Sequence, residues 1–295
     1  MGPATDFYPC SPEAEVSIML ASFLNDHLPG AGPILIGLAV AMIVLGRYIL
    51  FAGGALAATF LFRRHLSSRR IQPVPFTSGQ MRREFLYSLS SFVVFALVGL
   101  AVFRLNEAFG ILALYKRPDQ YGWLWFWLSI PVALFVHDFY FYWAHRFMHL
   151  PGVFERVHKV HHLSTNPSPL AAFAFHPLEA VVEAMGFVLI LVVVPMHPLA
   201  FLIVSTLMIV INVIGHLGYE IYPKELLSLP GGKYANTATS HNQHHRTFNY
   251  NYGLYTLVWD RLFGTLHRRY DETYASVTGS ARTQSEISPS QKGTY

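Results

Sequence analysis

The sequence holds one cysteine, Cys10, in 295 residues. That excludes an internal disulfide and any cluster of thiolate metal ligands, since both need at least two sulfurs from the chain. Charge is scarce too: 13% of residues are Asp, Glu, Lys or Arg, against roughly 25% in soluble domains. Neither a GxGxxG fingerprint nor a Walker loop is present, which excludes nicotinamide or ATP binding by those routes. The first 32 residues carry Asp6, Glu13, Glu15 and Asp26 but no Lys or Arg, so the basic start of a secretory signal is missing. What fills the chain is apolar: 53% hydrophobic residues, with 23 Phe and 16 Tyr, and a positive mean hydropathy. This is the composition of an integral membrane protein. The net charge of +4 is modest, and the arginines flank apolar runs, which points to a membrane surface and not to nucleic acid.

Taken in order, residues 1–32 read as an extracytoplasmic or interfacial segment. Ser11-Pro12-Glu13 has the signature of a helix start, and Val16, Leu20, Phe23, Leu24 and His27 fall along one face of either an interfacial or a plain surface helix. An apolar run over 34–62 is interrupted among charged residues only by Arg47. We read Arg47 as a snorkelling side chain, or as marking a later helix start, in preference to a functional intramembrane charge. Arg63, Arg64, Arg69, Arg70, Arg82 and Arg83 then place the next loop in the cytoplasm. A second span over 85–105 leads to an extracytoplasmic loop. A third span begins at an aromatic belt of Trp123, Trp125 and Trp127, with Pro131 as a kink site. Residues 178–215 read as a helical hairpin turning at Pro195-Met196-His197-Pro198. The expected fold is all-α and integral to the membrane, with about four transmembrane helices under a cytosolic, histidine-rich helical cap. One domain covers 33–270, and 271–295, rich in Ser, Thr, Gly and Gln, reads as a disordered tail.

Six of fifteen histidines lie between His137 and His162. His145 and His149 form HxxxH; His158, His161 and His162 form HxxHH; and His241, His244 and His245 repeat HxxHH. Residues three and four apart share a helix face, and imidazoles on one face present themselves to one ion such as Fe, Zn, Cu or Ni. With His216 at the end of an apolar helix there are nine candidate ligands, enough for two metals. The topology above brings all nine to the cytoplasmic side. His137 and His176 are further candidates, whereas His27, His65, His197 and His267 read as packing residues. Asn212, one turn before His216, either holds a metal-bound water or meets polar needs within the bundle. No HExxH is present, since Arg146 follows His145, which excludes a zincin. Glu155 with His158 is one ExxH pair without a symmetric partner, unlike soluble carboxylate di-iron bundles.

The order HxxxH, HxxHH, HxxHH resembles that of the fatty acid hydroxylase and sterol desaturase superfamily of membrane di-iron enzymes. Asp138, Tyr142, Trp143, His145, Arg146 and His149 resemble its first motif. Phe175-His176-Pro177-Leu178-Glu179 resembles an element of the sterol C-5 desaturases, as does Phe248-Asn249-Tyr250-Asn251-Tyr252-Gly253 followed by Trp259-Asp260-Arg261-Leu262. The likeness covers roughly 85–270.

The resemblance implies two irons held by His145, His149, His158, His161, His162, His216, His241, His244 and His245. It implies O2 as co-substrate, electrons from a separate donor such as cytochrome b5 or a ferredoxin, and a lipid substrate (sterol, fatty acyl or related) that is hydroxylated or desaturated. The membrane is the endoplasmic reticulum or a bacterial inner membrane. Asp138 and Asp260 are candidates either for orienting ligand imidazoles or for ion pairs with Arg146 and Arg261. Tyr142, Tyr250 and Tyr252 either line a substrate entrance or pack at the interface. The competing readings are a metal transporter, which calls for ionisable residues deep in several spans, and a non-catalytic lipid-binding member of the same fold.

Overall fold

The computed structural model describes residues 33–117 and 119–279. The segment read as interfacial, with Cys10 and His27, lies outside the described residues, as does the tail from 280 onward. Among the described residues the chain is helical, with three isolated β-bridges and no strand. Helix α1 (Pro33–Tyr48) continues through a π-helical turn at Ile49–Gly53 into α2 (Gly54–Leu61), making one apolar rod. Helix α3 (Ser78–Phe109), α4 (Trp123–Met148), α7 (Pro177–Val193) and α8 (Pro198–Gly215) complete the bundle. Among the described residues, four segments are long and apolar enough to cross a membrane: Gly37–Leu61, Ser78–Phe109, Trp123–Met148 and Pro198–Gly215. The protein is thus integral to the membrane, as its composition indicated.

Local chemistry explains where the helices begin. Helix α3 starts seven residues before the span read from hydropathy, because the Thr77 hydroxyl accepts the Gln80 N–H at 3.2 Å and caps it. Arg82 and Arg83 therefore lie in its first turns, and Arg83 Nη2 reaches the Leu163 carbonyl and Ser164 Oγ, both at 3.1 Å. The expected hairpin is present, with its turn between α7 and α8. Each of these helices opens on His-Pro-Leu. His176 Nδ1 accepts from Leu178 N and His197 Nδ1 from Leu199 N, while the proline supplies a fixed φ and no orphan N–H. His176 and His197 are thus helix caps. Helix α4 runs unbroken past Pro131.

Packing gives two cores inside the bundle. Phe126, Ile130 and Ala133 of α4 meet Ile190 and Leu191 of α7 and Ala200, Phe201 and Val204 of α8. Tyr48 and Ala52 meet Phe92, Ala172, Ile209 and Val213. Leu38, Met42, Leu50, Leu97, Leu124, Trp127 and Phe135 are exposed on the outer surface, an apolar girdle that suits lipid and not water. Trp123 and Trp127 keep the expected belt, whereas Trp125 turns inward and donates to the Pro195 carbonyl at 2.8 Å.

Two expectations are corrected. Arg47 does not snorkel: its Nη2 donates to Thr206 Oγ1 at 2.9 Å and Ser205 Oγ at 3.2 Å, because α8 presents two hydroxyls at the level of the guanidinium. The tail does not begin at 271. Helix α11 (Tyr270–Thr278) buries Tyr270, Tyr274 and Val277 on one face, the tyrosines against Leu257. Tyrosines carry most of that burial, so a segment poor in large aliphatic residues reads as polar.

The other end of the bundle from the α7–α8 turn carries the cap: α5 (Phe154–Val157), α6 (Lys159–His162), α9 (Ala238–Thr247), α10 (Val258–Leu262) and α11. The arginine-rich loop after α2 is stitched to it, with Arg69 Nη1 on the Tyr222 carbonyl at 2.6 Å and Gln72 Nε2 on Asn242 Oδ1 at 2.7 Å.

Candidate metal centre

Each histidine pattern sits where a helix meets the cap. His145 occupies the last turn of α4 and His149 its C-cap, and His216 is the C-cap of α8. His241, His244 and His245 lie on α9, which opens with a capping box between Thr237 and Ser240. Buried Glu220 fixes that start further by accepting from Thr239 N at 2.9 Å and Thr239 Oγ1 at 2.7 Å. His158 falls at the break between α5 and α6, so the first triplet is not on one continuous helix.

The nine imidazoles come together as two groups. His145, His149, His158, His162 and His244 form one; His161, His216, His241 and His245 form the other, with the ligand atoms of each group within 4.8 Å of one another. This corrects the idea that each triplet serves one ion. The i,i+4 pairs His145/His149, His158/His162 and His241/His245 stay together, while His161 and His244 cross to the opposite group. Each HxxHH thus spans both groups. The ring centroids of His158 and His161 are 5.3 Å apart and those of His162 and His245 4.8 Å, so the groups are neighbours.

The donors converge through Nε2. In the first group, Nε2 of His158 is 3.1 Å from those of His145 and His162, and Nε2 of His162 is 3.1 Å from that of His244. In the second, Nε2 of His216 lies 3.1–3.3 Å from those of His161, His241 and His245. The contact between His145 and His158 is not a hydrogen bond. His145 Nδ1 faces the Tyr252 carbonyl at 2.8 Å, His216 Nδ1 the Asn212 carbonyl at 2.8 Å, and His244 Nδ1 the Tyr250 carbonyl at 2.7 Å. A carbonyl only accepts, so these Nδ1 atoms carry the protons and the Nε2 atoms point lone pairs inward. His158 does the same, with Nδ1 on Glu179 Oε1 at 2.6 Å. Lone pairs facing each other at this range repel unless a cation lies between them. Two nitrogens each about 2.1 Å from one ion, at 90–109° to each other, are about 3.0–3.4 Å apart. The residues therefore fit two metal ions, and an all-imidazole set suits Fe, Zn, Cu or Ni and not Mg or Ca.

Burial and the surrounding imidazoles hold the cap rings neutral. The pKa of His149 is pulled down to about 2 and that of His216 to about 4, and those of His158, His161, His162, His241, His244 and His245 lie well below 6.5. Neutral rings are the ligating form.

The polar supports differ from the expected ones. Among the described residues Asp138 bonds to no ligand imidazole and to no arginine. Its carboxylate accepts from Tyr255 N at 3.0 Å, Thr256 Oγ1 at 2.6 Å and Trp259 Nε1 at 3.0 Å, pinning the 255–259 loop to α4. Asp260 accepts from Tyr252 N and Gly253 N, both at 2.8 Å, and from Thr265 Oγ1 at 2.7 Å. It orients His145 indirectly, through the Tyr252 carbonyl. Arg261 pairs with Asp271, at 3.8 Å. Asn212 Nδ2 donates to the Ala172 carbonyl at 2.7 Å, which meets a polar need of the bundle. Tyr142 is fully buried and bonds Thr265 Oγ1 at 3.0 Å, and the Tyr252 ring lies 5.2 Å from that of His149; both pack, and neither forms an entrance. Glu179, the acceptor for His158, was not expected as a ligand-orienting group; its signal was the acid after His176-Pro177-Leu178. His137 and His176 join neither group: His137 Nδ1 meets the Tyr255 hydroxyl at 2.9 Å.

A cavity of about 580 Å³, including its open part, runs from the histidines into the bundle. His145, His158, His161, His216 and His241 form its polar end. Phe95, Phe141, Phe173, Phe187, Met208 and Ile209 form its apolar wall.

The family model described as fatty acid hydroxylase matches residues 130–265. Lathosterol oxidase of Mus musculus is 30% identical over 223 residues, covering 75% of this chain and 72% of its own. The Delta(7)-sterol 5(6)-desaturase of Schizosaccharomyces pombe is 31% identical over 229 residues, covering 78% and 72%. Human lathosterol oxidase is 29% identical over 223 residues, covering 75% and 72%. No solved structure matches the chain. With the expected motifs all inside the matched region, the chain belongs to the fatty acid hydroxylase and sterol desaturase superfamily, in its sterol desaturase branch.

Proposed function

We propose that the protein is a membrane-bound non-haem di-iron oxygenase that hydroxylates or desaturates a lipid, using O2 and an external electron donor. The observation that carries this is the convergence of nine inward-facing imidazoles in two groups at the head of an apolar cavity. Iron in these groups supplies O2 activation and C–H chemistry, which no side chain here performs alone. The protein's own part is positional. Glu179 and the carbonyls of Tyr250, Tyr252 and Asn212 hold the Nδ1 protons of His158, His244, His145 and His216, so that these four rings keep one tautomer and one orientation. The phenylalanine-rich wall aligns a hydrocarbon chain or ring system beside the histidines and excludes water from the reacting carbon.

The cap shares its end of the bundle with the arginine-rich loop after α2, and under the positive-inside rule this supports a cytoplasmic side for the histidines. A donor such as cytochrome b5 or a ferredoxin would dock there, in the endoplasmic reticulum or a bacterial inner membrane. Transport is disfavoured because the imidazoles gather at one end and form no path through the spans.

The test is lipid mass spectrometry of cells expressing wild type or His161→Ala, with iron measured on the purified proteins. A lipid that gains one oxygen, or loses two hydrogens, only with the wild type supports the reading and names the reaction. An iron-free wild type with unchanged lipids overturns it.

A further inference from the structure

One acid of the cavity wall is engaged by no hydrogen bond among the described residues. Glu183, on α7, lines the cavity beside Phe141, Phe187 and Met208. Among the described residues no group donates a hydrogen bond to its carboxyl. Its neighbour one turn earlier, Glu179, is engaged by His158. Glu183 is half-buried although it lies within the bundle, so its remaining exposure is to the cavity. A carboxyl in apolar surroundings without a hydrogen bond costs several kcal/mol, and a leucine would fill the same wall without that cost.

Depth along α7 places the group. At 1.5 Å per residue, Glu183 lies about 6 Å further from the histidines than Glu179. Gly186, about 4.5 Å deeper again, is where a Cβ would come within 2.7 Å of His137 Nε2. Glu183 therefore sits on the cavity wall deeper in the bundle than the proposed metals, where a substrate held for reaction at the histidines lies against it.

We propose that Glu183 accepts a hydrogen bond from a hydroxyl on the lipid substrate, and that this contact selects a lipid alcohol and fixes which carbon faces the histidines. The inference rests on the lipid-oxygenase reading for its substrate class, but its central claim concerns binding and can be tested without turnover.

The test uses purified full-length protein in nanodiscs, with lathosterol, a C18 alcohol and the methyl ether of each as probes. Equilibrium binding and product formation are measured for wild type, Glu183→Gln and Glu183→Leu, and iron content is checked in each. Wild type is expected to bind at least one alcohol about tenfold more tightly than its ether, which is the worth of one hydrogen bond. Glu183→Leu should lose that preference and keep its affinity for the ether, while Glu183→Gln, still an acceptor, retains part of it. A purely structural role would lower both affinities together. Equal binding of both alcohol–ether pairs by wild type, or an undiminished preference in Glu183→Leu, overturns the inference. A preference without product from any lipid would leave the inference standing and count against the oxygenase reading. Product without preference would do the reverse.

Discussion

Glu179 and His158 are joined at 2.6 Å in a place that solvent barely reaches, the carboxylate wholly buried and the imidazole 3% exposed. The acid lies in the first turn of α7 in the bundle and the histidine belongs to the cap, so one contact fixes both the ring's tautomer and the docking of cap on bundle. Replacing Glu179 with Ala should lower metal affinity in the five-histidine group by about 10–100-fold, with the four-histidine group unaffected. Metal titration with separate spectroscopic signals for the two ions checks this; equal loss from both would contradict it.

The crossing of His161 and His244 between groups gives a sharper test. A His161→Ala/His245→Ala double variant removes two ligands from one group and should retain one ion. His161→Ala/His244→Ala takes one ligand from each and should weaken both ions. Elemental analysis at limiting metal separates the two patterns. If each triplet served its own ion, the first pair would damage both groups.

Asp260 holds two backbone N–H groups and the Thr265 hydroxyl. Asp260→Ala should destabilise the protein by about 3 kcal/mol or more and loosen metal binding through the Tyr252 carbonyl. Arg261→Ala should leave metal content unchanged. Thermal unfolding and metal analysis of both variants distinguish this arrangement from an Asp260–Arg261 ion pair.

At Gly215 an added Cβ would lie 3.2 Å from His241 Cδ2 and 3.3 Å from its Cγ. Gly215→Ala should therefore displace His241, with an overpacking cost of about 1–3 kcal/mol and loss of metal mainly from the four-histidine group. Unchanged metal affinity would show that the ring can yield.

The buried rings also set a pH dependence. In the folded, metal-stripped protein they are neutral, with the pKa of His149 near 2 and that of His216 near 4, whereas unfolded histidine titrates at about 6.5. The unfolded chain therefore binds more protons as the pH falls below about 6.5, and stability present above that value is lost toward lower pH. Unfolding midpoints of the stripped protein between pH 8 and pH 5 should fall steeply below about 6.5. A flat profile would mean the rings are solvated and not buried.

The sequence by itself determined the membrane class, the hairpin turn and the nine imidazoles. Apolar runs, His-Pro caps and i,i+4 spacings are local patterns, readable wherever the chain goes. Helix α11 is hard to see in the sequence because its burial is carried by tyrosines, and the role of Arg47 is not legible there because its hydroxyl partners lie 158 and 159 residues away. Only the tertiary structure decided which imidazole joins which group, since that depends on the angle at which α6 and α9 face each other. It likewise gave Asp138 a loop to hold, gave Asp260 a backbone to brace, paired Glu179 with His158 and left Glu183 facing the cavity. Those assignments depend on contacts between distant segments, and spacing along one helix carries no information about what packs against it.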